Sequence, residues 1–426
     1  MPGQQLACPG IRFLYNPLGA VYGSRDIIFD IDVGESDMSR WIGNLILSLL
    51  SIVFALVVAE GVLRWFPQLF PSVTHQFRQD AEPDQMGVSH PYIGHLHTPN
   101  NALVIPNRDF QAVHHTDGHG FRNAWPWPET ADIVFVGDSL TFGYGVEDDE
   151  SWPAIIGAAL PQLRVINLGL IGASPEQYVR IYETFGVPLQ PKLLVVGLFP
   201  GNDFWDAGLY AKWLSDGVGD NYMAWRDYGR PLKSAGRGKA LERFLKQHVA
   251  LYHVYRQARR TYRDWRTGEP KSLKLSKGGQ LQLSPRQLKA LTVGTRPERP
   301  EFRYVIESLT RLKSLAAKHK THVVLVIQPD KEFIYLPLIG ETAVDAAAHL
   351  RPEIERLKYA YVDTTPLFQQ QAEAGEQLFF ETDGHPNAEG YRLIAQAVLA
   401  HVQQHATAYG LQPVPEPAGN TQGTGQ

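Results

Sequence analysis

The hydrophobic pattern of the chain contains one continuous apolar run near its N-terminus. Residues 41–59 read WIGNLILSLLSIVFALVVA, and these nineteen positions hold no charged residue and no proline. As a helix they span about 28 Å, close to the hydrocarbon thickness of a bilayer. A buried core helix would carry a polar stripe, and here only Asn44, Ser48 and Ser51 interrupt the run. The pattern therefore predicts one N-terminal transmembrane helix.

The span is interpreted as an uncleaved signal-anchor over residues 38–66, because it is longer than the apolar core of about 7–15 residues in a signal peptide. Val57 and Ala59 leave cleavage open as an alternative. Arg40 and Arg64 flank the two sides and mark the orientation only weakly. A single span ahead of a large domain favours a single-pass protein of the cell membrane with that domain outside the cytoplasm, in the periplasm.

The two ends of the chain lack apolar periodicity. Residues 1–37 are interpreted as an unstructured extension or as a misassigned start, with Met38 as the alternative first residue. Residues 406–426 are predicted to form a disordered tail, since Pro, Gly and Gln dominate from Tyr409 onward. Residues 67–130 form a lead-in to the first predicted strand.

Short apolar runs alternate with helical patterns over residues 131–405. The runs are β-branched and lack polar alternation, as expected of parallel strands covered on both faces. The predicted strands are residues 132–137, 164–167, 193–199, 322–327 and 359–362. The predicted helices are residues 150–160, 174–185, 301–319, 346–357 and 388–405. This alternation predicts an α/β/α sandwich around a parallel sheet of about five strands.

Residues 204–300 interrupt the alternation and are too long for a simple crossover. Within them, residues 239–265 predict one amphipathic helix with seven basic and two acidic residues. Two interpretations remain open for this basic insertion. It is either a solvated face on a packed helix, or a surface that meets an anionic glycan or the phosphate groups of a membrane.

Composition excludes several functional classes. The 426 residues carry a formal net charge of −4, so no overall attraction to nucleic acid is expected. Cys8 is the only cysteine, which rules out a disulfide scaffold, a Cys-rich zinc site and a cysteine nucleophile in the body. Histidines are dense between residues 90 and 119, but their spacing lacks a metal-site pattern, and polar loop packing is preferred. No metal and no cofactor are predicted.

Four short motifs follow strands of the predicted sheet. They are Gly137-Asp138-Ser139, then Gly169 to Gly172, then Gly201-Asn202-Asp203, and finally Asp383-Gly384-His385. Ligand sites in open parallel sheets form outside the carboxyl ends of the strands, so these motifs are expected to converge. The lipase elbow G-x-S-x-G is absent, because Thr141 stands where its second glycine would be.

Together the four motifs resemble the SGNH (GDSL) hydrolase superfamily, over residues 131–405. The resemblance implies a flavodoxin-like three-layer α/β/α sandwich and serine-based ester chemistry. Residues 90–94 and 117–122 are similar to the lead-in of bacterial membrane-anchored members. Residues 328–335, which read QPDKEFIY, are more loosely similar to a stretch in alginate O-acetyltransferase-like proteins.

The resemblance implies a role for each motif. Ser139 is the expected nucleophile and His385 its general base, with Asp383 holding the imidazole. The oxyanion hole is expected from the backbone N–H groups of Ser139 and Gly172 and the side-chain amide of Asn202.

The last motif departs from the family pattern. Many members space the late pair as Asp-x-x-His, whereas Asp383 stands two residues before His385. Thr382 occupies the family position, and Glu381 precedes it. Asp383 is the preferred orienting acid, and Glu381 is the alternative.

The sequence thus predicts an extracytoplasmic serine esterase that acts through an acyl-enzyme on Ser139. Its expected substrate is an acylated glycan or lipid-linked saccharide, with acetyl as one possible acyl group. Two alternatives are an O-acyltransferase, in which a sugar hydroxyl replaces water, and a glycan-binding domain without catalysis. The sequence identifies no protein partner.

Overall fold

The computed structural model describes residues 35–70, 73–74, 77, 87–105, 107–217, 221–228 and 237–411. Contacts divide the chain into two units, Met1–Val58 and Ala59–Gln426. The described residues of the first unit all belong to one helix, α1, which runs over Glu35–Trp65. Its segment Ser39–Trp65 is long and apolar enough to cross a membrane.

Both predicted terminal segments differ from the structure in their boundaries. Helix α1 begins at Glu35, within the predicted extension 1–37, and residues 1–34 lie outside the described residues. At the other end the chain remains packed beyond residue 406, since Tyr409 and Leu411 are buried in the core. Residues 412–426 lie outside the described residues.

The strands of the second unit are β1 Val88–His90, β2 Gly94–Leu96, β3 Ala102–Val104, β4 Val113–His115, β5 Ile133–Gly137, β6 Val165–Gly169, β7 Leu193–Leu198, β8 Lys271–Lys274, β9 Gln280–Leu283, β10 His322–Ile327 and β11 Ala360–Asp363. The helices that follow α1 are α2 Ser139–Phe142, α3 Trp152–Ala159, α4 Pro175–Ile181, α5 Asp203–Asp216, α6 Tyr222–Tyr228, α7 Arg237–His248, α8 Ala250–Thr267, α9 Pro285–Leu291, α10 Pro300–Lys318, α11 Lys331–Tyr335, α12 Leu350–Arg356, α13 Thr365–Glu373 and α14 Ala388–His405.

A five-stranded sheet forms the centre of this unit, in the order β11-β10-β7-β5-β6. Every neighbouring pair is parallel. Successive residues of β5 point to opposite faces, so Ile133 and Phe135 join one apolar cluster while Val134 and Val136 join another. The sheet is therefore the middle of three layers, and the predicted five-stranded α/β/α sandwich is confirmed.

The insertion differs from its prediction in two respects. The single helix predicted over residues 239–265 is wrong, because Val249 is extended (φ −128°, ψ 104°) and separates α7 from α8. The break is stabilised by Glu60, whose carboxylate accepts hydrogen bonds from the backbone N–H groups of Ala250 and Leu251, both at 2.9 Å. The hairpin of β8 and β9, which was not predicted, buries Leu281 and other apolar residues in the core.

The carboxyl end of β6 supports the short helix α2. A Cβ atom on Gly169 would lie 2.7 Å from the carbonyl carbon of Thr141 and closer still to the backbone nitrogen of Phe142. Both contacts are with main-chain atoms, which cannot rotate away. A glycine is therefore required here for α2 to pack against the end of the sheet.

We expect Gly169→Ala to destabilise the protein by about 1–3 kcal/mol, because the added methyl group overpacks a rigid site. Thermal or denaturant unfolding of the purified protein measures this. Gly157→Ala in α3 is the matched control, since its Cβ would meet only Val165 at 3.6 Å. An alanine inside a helix should leave stability unchanged or raise it by up to about 1 kcal/mol. Equal effects of the two substitutions would contradict the close packing at Gly169.

Candidate active site

Ser139 opens helix α2 directly after strand β5. The carboxylate of Asp138 caps this helix, with Oδ1 accepting a hydrogen bond from the backbone N–H of Leu140 at 2.9 Å. The N–H groups of a helix's first turn have no partner within the helix. The backbone N–H of Ser139 is one of these groups, beside a side chain that is only 5% exposed.

Three side chains form a continuous hydrogen-bonded chain at this edge of the sheet. Ser139 Oγ lies 2.8 Å from Nε2 of His385. The other ring nitrogen, Nδ1, lies 2.6 Å from Oδ1 of Asp383, which also accepts the backbone N–H of His385 at 2.9 Å. With a proton on Nδ1, the ring can accept the serine proton at Nε2. The structure thus brings together the three residues that the sequence assigned to catalysis.

The carboxylate of Asp383 is held in its ionised form. Burial by itself would raise its pKa, but hydrogen bonds and charge interaction with His385 act in the opposite direction and prevail. The side-chain amide of Asn107 adds a donor, with Nδ2 at 2.8 Å from Oδ2. The pKa of Asp383 consequently lies well below its usual range.

The backbone around Asp383 is fixed from two sides. Asp109 accepts hydrogen bonds from the backbone N–H groups of Thr382 at 2.6 Å and of Asp383 at 2.7 Å. From beneath, Nζ of Lys331 donates to the carbonyl oxygen of Asp383 at 2.9 Å. Burial lowers the pKa of Lys331, whereas the neighbouring carboxylates, Glu332 first, act to raise it. These contacts set the direction in which Asp383 meets His385.

Glu381, the alternative orienting acid, faces elsewhere. Its Oε1 lies 3.5 Å from Nη2 of Arg108. Thr382, which occupies the usual family position of the acid, donates its hydroxyl to Asp109 at 2.8 Å. Of the three residues that precede Gly384, the structure therefore places Asp383 against the imidazole.

Asn202 comes after strand β7 at the start of α5, and its side chain contacts Asp138, the residue before the serine. Its Nδ2 donates to Oδ2 of Asp138 at 3.0 Å. A side-chain amide carries two N–H groups, so one donor remains for a further acceptor. Burial raises the pKa of Asp138 even though the bonds from Leu140 and Asn202 lower it.

Gly172 adopts a left-handed conformation, with φ of +73°. A Cβ atom there would also collide with Nη1 of Arg226, which donates to the Gly172 carbonyl oxygen at 2.9 Å. Only glycine combines this backbone angle with so close a neighbour without strain. The backbone angle and the contact with Arg226 therefore both require glycine at residue 172.

Two further residues shape the site and were not assigned from the sequence. The ring of Tyr144 packs on that of His385, with centroids 4.3 Å apart. Arg122 is buried and donates to the carbonyl oxygens of Gly143 at 2.6 Å and Val146 at 2.7 Å, and it pairs with Asp148 at 2.7 Å. It therefore holds the loop that follows α2. The similarity of residues 117–122 to anchored family members was the only sequence signal for Arg122.

Histidines of the lead-in form hydrogen bonds with backbone groups of neighbouring loops. His97 accepts the N–H of Ile171 at Nε2 (3.3 Å), and its Nδ1 lies 3.0 Å from the Gly120 carbonyl oxygen. His114 accepts the N–H of Gly145 at Nε2 (3.0 Å). Ile171 adjoins Gly172, and Gly145 adjoins Tyr144. The two rings therefore support the loop that carries Gly172 and the loop that carries Tyr144.

These histidines are neutral near pH 7. Burial lowers the pKa of His97 and of His114 to about 4 each, and that of His95 to about 3. Within the described ranges, no group of three or more His, Cys, Asp or Glu residues has the arrangement of a metal site. Loop packing, which the sequence favoured for these residues, accounts for their contacts.

Comparison with known families identifies the class of protein. The sequence model of the GDSL-like lipase/acylhydrolase family matches residues 135–393. The match includes the serine, glycine, asparagine, aspartate and histidine described above. The chain belongs to this family, within the SGNH hydrolase superfamily, and it is a hydrolase of ester bonds.

The solved structures to which the chain is similar include two from bacteria. A lipolytic protein of the G-D-S-L family from Veillonella parvula is 17% identical, with a TM-score of 0.32, and the match covers 63% of this chain and 95% of that one. A catalytic mutant of an acetylxylan esterase from Geobacillus stearothermophilus is 12% identical, with a TM-score of 0.33, over 67% of this chain and 97% of that one. No curated protein sequence matches the chain significantly.

The buried histidines predict a loss of stability in mild acid. The unfolded chain binds a proton at His97 near pH 6.5, whereas the folded protein binds it only near pH 4. Between these values the unfolded state holds more protons, so stability falls as pH falls, by about 1.4 kcal/mol per pH unit for each such group. The contribution is complete above pH 6.5 and is lost toward pH 4.

Denaturant unfolding at several pH values tests this dependence. His97→Phe should lower stability at pH 7, because the bonds to Ile171 and Gly120 are lost. It should also reduce the slope of the free energy of unfolding against pH between pH 6.5 and pH 4, by the amount that one bound proton contributes. An unchanged slope in the variant would show that His97 is not the group that titrates.

Proposed function

We propose that the chain is an extracytoplasmic serine esterase that removes acyl groups, acetyl among them, from a glycan or a lipid-linked saccharide. The observation that carries the catalytic part is the unbroken hydrogen-bonded chain from Ser139 through His385 to Asp383. In this proposal Ser139 is the nucleophile, His385 the general base, and Asp383 the residue that orients the ring.

The proposed reaction has two halves. Ser139 Oγ attacks the ester carbonyl carbon while its proton passes to Nε2 of His385. The tetrahedral oxyanion then expels the alcohol, which takes that proton and leaves an acyl group on Ser139. Water attacks this acyl-enzyme with His385 again as base. The carboxylic acid leaves, and the serine hydroxyl is restored.

The oxyanion is proposed to be stabilised by three N–H groups. These are the backbone groups of Ser139 and Gly172 and the second N–H of the Asn202 amide. Each such donor typically contributes about 2.7–4 kcal/mol to the transition state when it is fixed in advance. The support for this assignment is the bond from Asn202 to Asp138, which fixes the amide beside the serine.

The orienting role of Asp383 follows from its charge. An ionised carboxylate at 2.6 Å from Nδ1 favours the tautomer in which Nε2 is free to accept a proton. The same charge stabilises the imidazolium that forms during attack. Because its pKa lies well below the usual range, Asp383 keeps this charge throughout the pH range in which esterases work.

An O-acyltransferase is the second candidate. A sugar hydroxyl would then attack the acyl-enzyme in place of water, with the same residues in the same roles. The stretch 328–335 supports it through its looser similarity to alginate O-acetyltransferase-like proteins, and Lys331 of this stretch contacts the Asp383 backbone. A glycan-binding domain without catalysis is the least favoured alternative, since it needs no such hydrogen-bonded chain.

The proposed location is the cell membrane, with one span and a periplasmic catalytic domain. The segment Ser39–Trp65 supports a span by its length and hydropathy. The proposed organisation is a signal-anchor over residues 38–66 followed by a hydrolase fold. That fold takes in the lead-in over 67–130, the sheet and helices over 131–405 with the insertion at 204–300, and the packed residues to 411. Removal of the span as a signal peptide is the alternative.

We expect Ser139→Ala to lower hydrolysis of an aryl acetate by at least about a thousandfold, because the triad acts as a unit. His385→Ala should be about as damaging. Ser215→Ala, at an exposed serine of α5, is the matched control and should retain full activity. Circular dichroism verifies that each variant is folded. Retained turnover in folded Ser139→Ala protein would refute the proposed nucleophile.

The same assay with an added oligosaccharide separates hydrolysis from transfer. An esterase releases acetate at the same rate with or without the sugar. A transferase instead accumulates acetylated oligosaccharide, which mass spectrometry detects. Detection of that product would identify the protein as an O-acyltransferase instead of an esterase. The role of Ser139 as the nucleophile would be unchanged.

The orienting acid is tested by two amide substitutions. Asp383→Asn should lower kcat by at least about a hundredfold, because the amide removes the charge that selects the tautomer and stabilises the imidazolium. Glu381→Gln is the matched control and should change kcat little, since Glu381 faces Arg108. A greater loss in Glu381→Gln than in Asp383→Asn would reverse the assignment.

A further inference from the structure

Helix α8 presents an apolar stripe to solvent. Leu251, Val254, Tyr255, Ala258, Tyr262 and Trp265 recur at three- and four-residue intervals and therefore share one face. Tyr262 is 58% exposed and Trp265 is 76% exposed. A helix of a folded domain normally turns such a face toward the core. Here the stripe lacks a covering element among the described residues beyond the first turn.

Arginines occupy much of the remaining surface of the helix, with Arg259 and Arg266 next to the stripe and the others farther round. The helix carries five arginines and a single aspartate, in a chain whose overall net charge is −4. The arginines are Arg256, Arg259, Arg260, Arg263 and Arg266. Asp264 pairs with Arg263 at 2.9 Å and with Arg260 at 3.9 Å, and it offsets little of this charge. The face and its border together suit a partner that is both apolar and anionic.

The start of α8 is fixed to the residues that follow the apolar run of α1. Glu60 comes directly after Ala59, and its two carboxylate oxygens accept the N–H groups of Ala250 and Leu251. Arg64 donates to the carbonyl oxygen of His248. Leu63 packs with Ala250 in a small buried cluster. If residues 41–59 cross a bilayer, chain continuity places this joint at the lipid surface.

We infer that α8 binds the surface of an anionic phospholipid bilayer, with its apolar stripe among the headgroups and the bordering Arg259 and Arg266 on lipid phosphates. This inference rests on the proposed membrane anchor. Tyrosine and tryptophan favour the headgroup level of a membrane, and an apolar face beside basic residues is typical of interfacial helices. Guanidinium groups bind phosphate oxygens in a bidentate manner.

A bilayer fits this surface better than a second copy of the chain or a free glycan. Two copies meeting through the stripe would bring Arg259 and Arg266 of each copy to the seam, which like-charge repulsion opposes. A soluble anionic glycan would pair with the arginines and stack on Tyr262 and Trp265, but it would leave the aliphatic Val254 and Ala258 in water. The lipid surface covers the aliphatic and aromatic positions together and also binds the arginines.

The test uses the full chain inserted into lipid nanodiscs. Cys8, the only cysteine, is replaced by serine, and Ala258→Cys then carries an environment-sensitive fluorophore on the stripe. Ala290→Cys, at an exposed alanine of α9, is the matched control. The discs contain phosphatidylcholine alone or an equal mixture with phosphatidylglycerol, each with a lipid that quenches fluorescence at headgroup depth.

We expect the label at residue 258 to shift to shorter wavelength and to be quenched in the anionic discs, and the label at 290 to remain in water. Arg259→Glu combined with Arg266→Glu should abolish the quenching at 258 while hydrolysis of a small neutral ester is unchanged. Arg286→Glu with Arg296→Glu is the matched charge control and should leave the quenching intact. Added salt should weaken the response of the parent protein.

Each contrary outcome has a distinct meaning. If the chain enters the discs but the label at residue 258 is not quenched, α8 does not contact the lipid surface, and the membrane anchor still stands. A chain that fails to enter any disc refutes the anchor and this inference with it. Equal quenching without phosphatidylglycerol refutes the role of anionic lipid. A response that appears only with two chains in one disc assigns the stripe to a second copy instead.

Discussion

The hydrogen bond between Ser139 and His385 joins the first residue of α2 to a loop residue that lies 246 positions further along the chain. A separation of 2.8 Å across such a distance in sequence needs a rigid frame, and the parallel sheet supplies it. Ser139 follows β5, an interior strand of the sheet, and His385 comes just before α14, which packs on α3 of the same layer. The loop of His385 is not itself continuous with a strand, however. Its position depends on the contacts that Asp109 and Lys331 make with the Asp383 backbone.

The charge states of the groups around this bond depend on burial and on the hydrogen-bond donors nearby. Asp383 is kept charged by the donors that surround it, whereas His97 and His114 are kept neutral because burial disfavours their charged forms. A neutral imidazole donates at one nitrogen and accepts at the other, so a single ring can join a carbonyl of one loop to an N–H of another. The lead-in uses histidine in this way to connect loops that no strand connects. Because these rings are buried in their neutral form, their protonation at low pH destabilises the loops around the site.

The sequence predicted the elements whose pattern is local. Five β-branched runs identified the sheet, and the motifs at their ends identified the residues that the structure brings together around Ser139. Contacts that depend on tertiary structure left no such pattern. Asn107 and Asp109 are ordinary polar residues of a loop, and nothing in their neighbours points to Asp383. The break at Val249 was missed for the same reason, since Glu60, which stabilises it, lies 190 residues away from Ala250.

These contacts also bear on where the folding unit begins. The sequence places the start of the hydrolase domain at residue 131, just before β5, yet the compact unit runs from Ala59 onward. Phe121 of the lead-in is fully buried in the core, and Asn107 reaches the carboxylate of Asp383 at 2.8 Å. A protein shortened to begin at residue 131 would keep the strand that precedes Ser139. It would lose Asn107, which helps to keep Asp383 ionised, and Asp109, which holds the backbone of Asp383 in place. The lead-in is therefore part of the hydrolase fold, and the residues that complete the site come from a segment that the strand pattern alone would leave out.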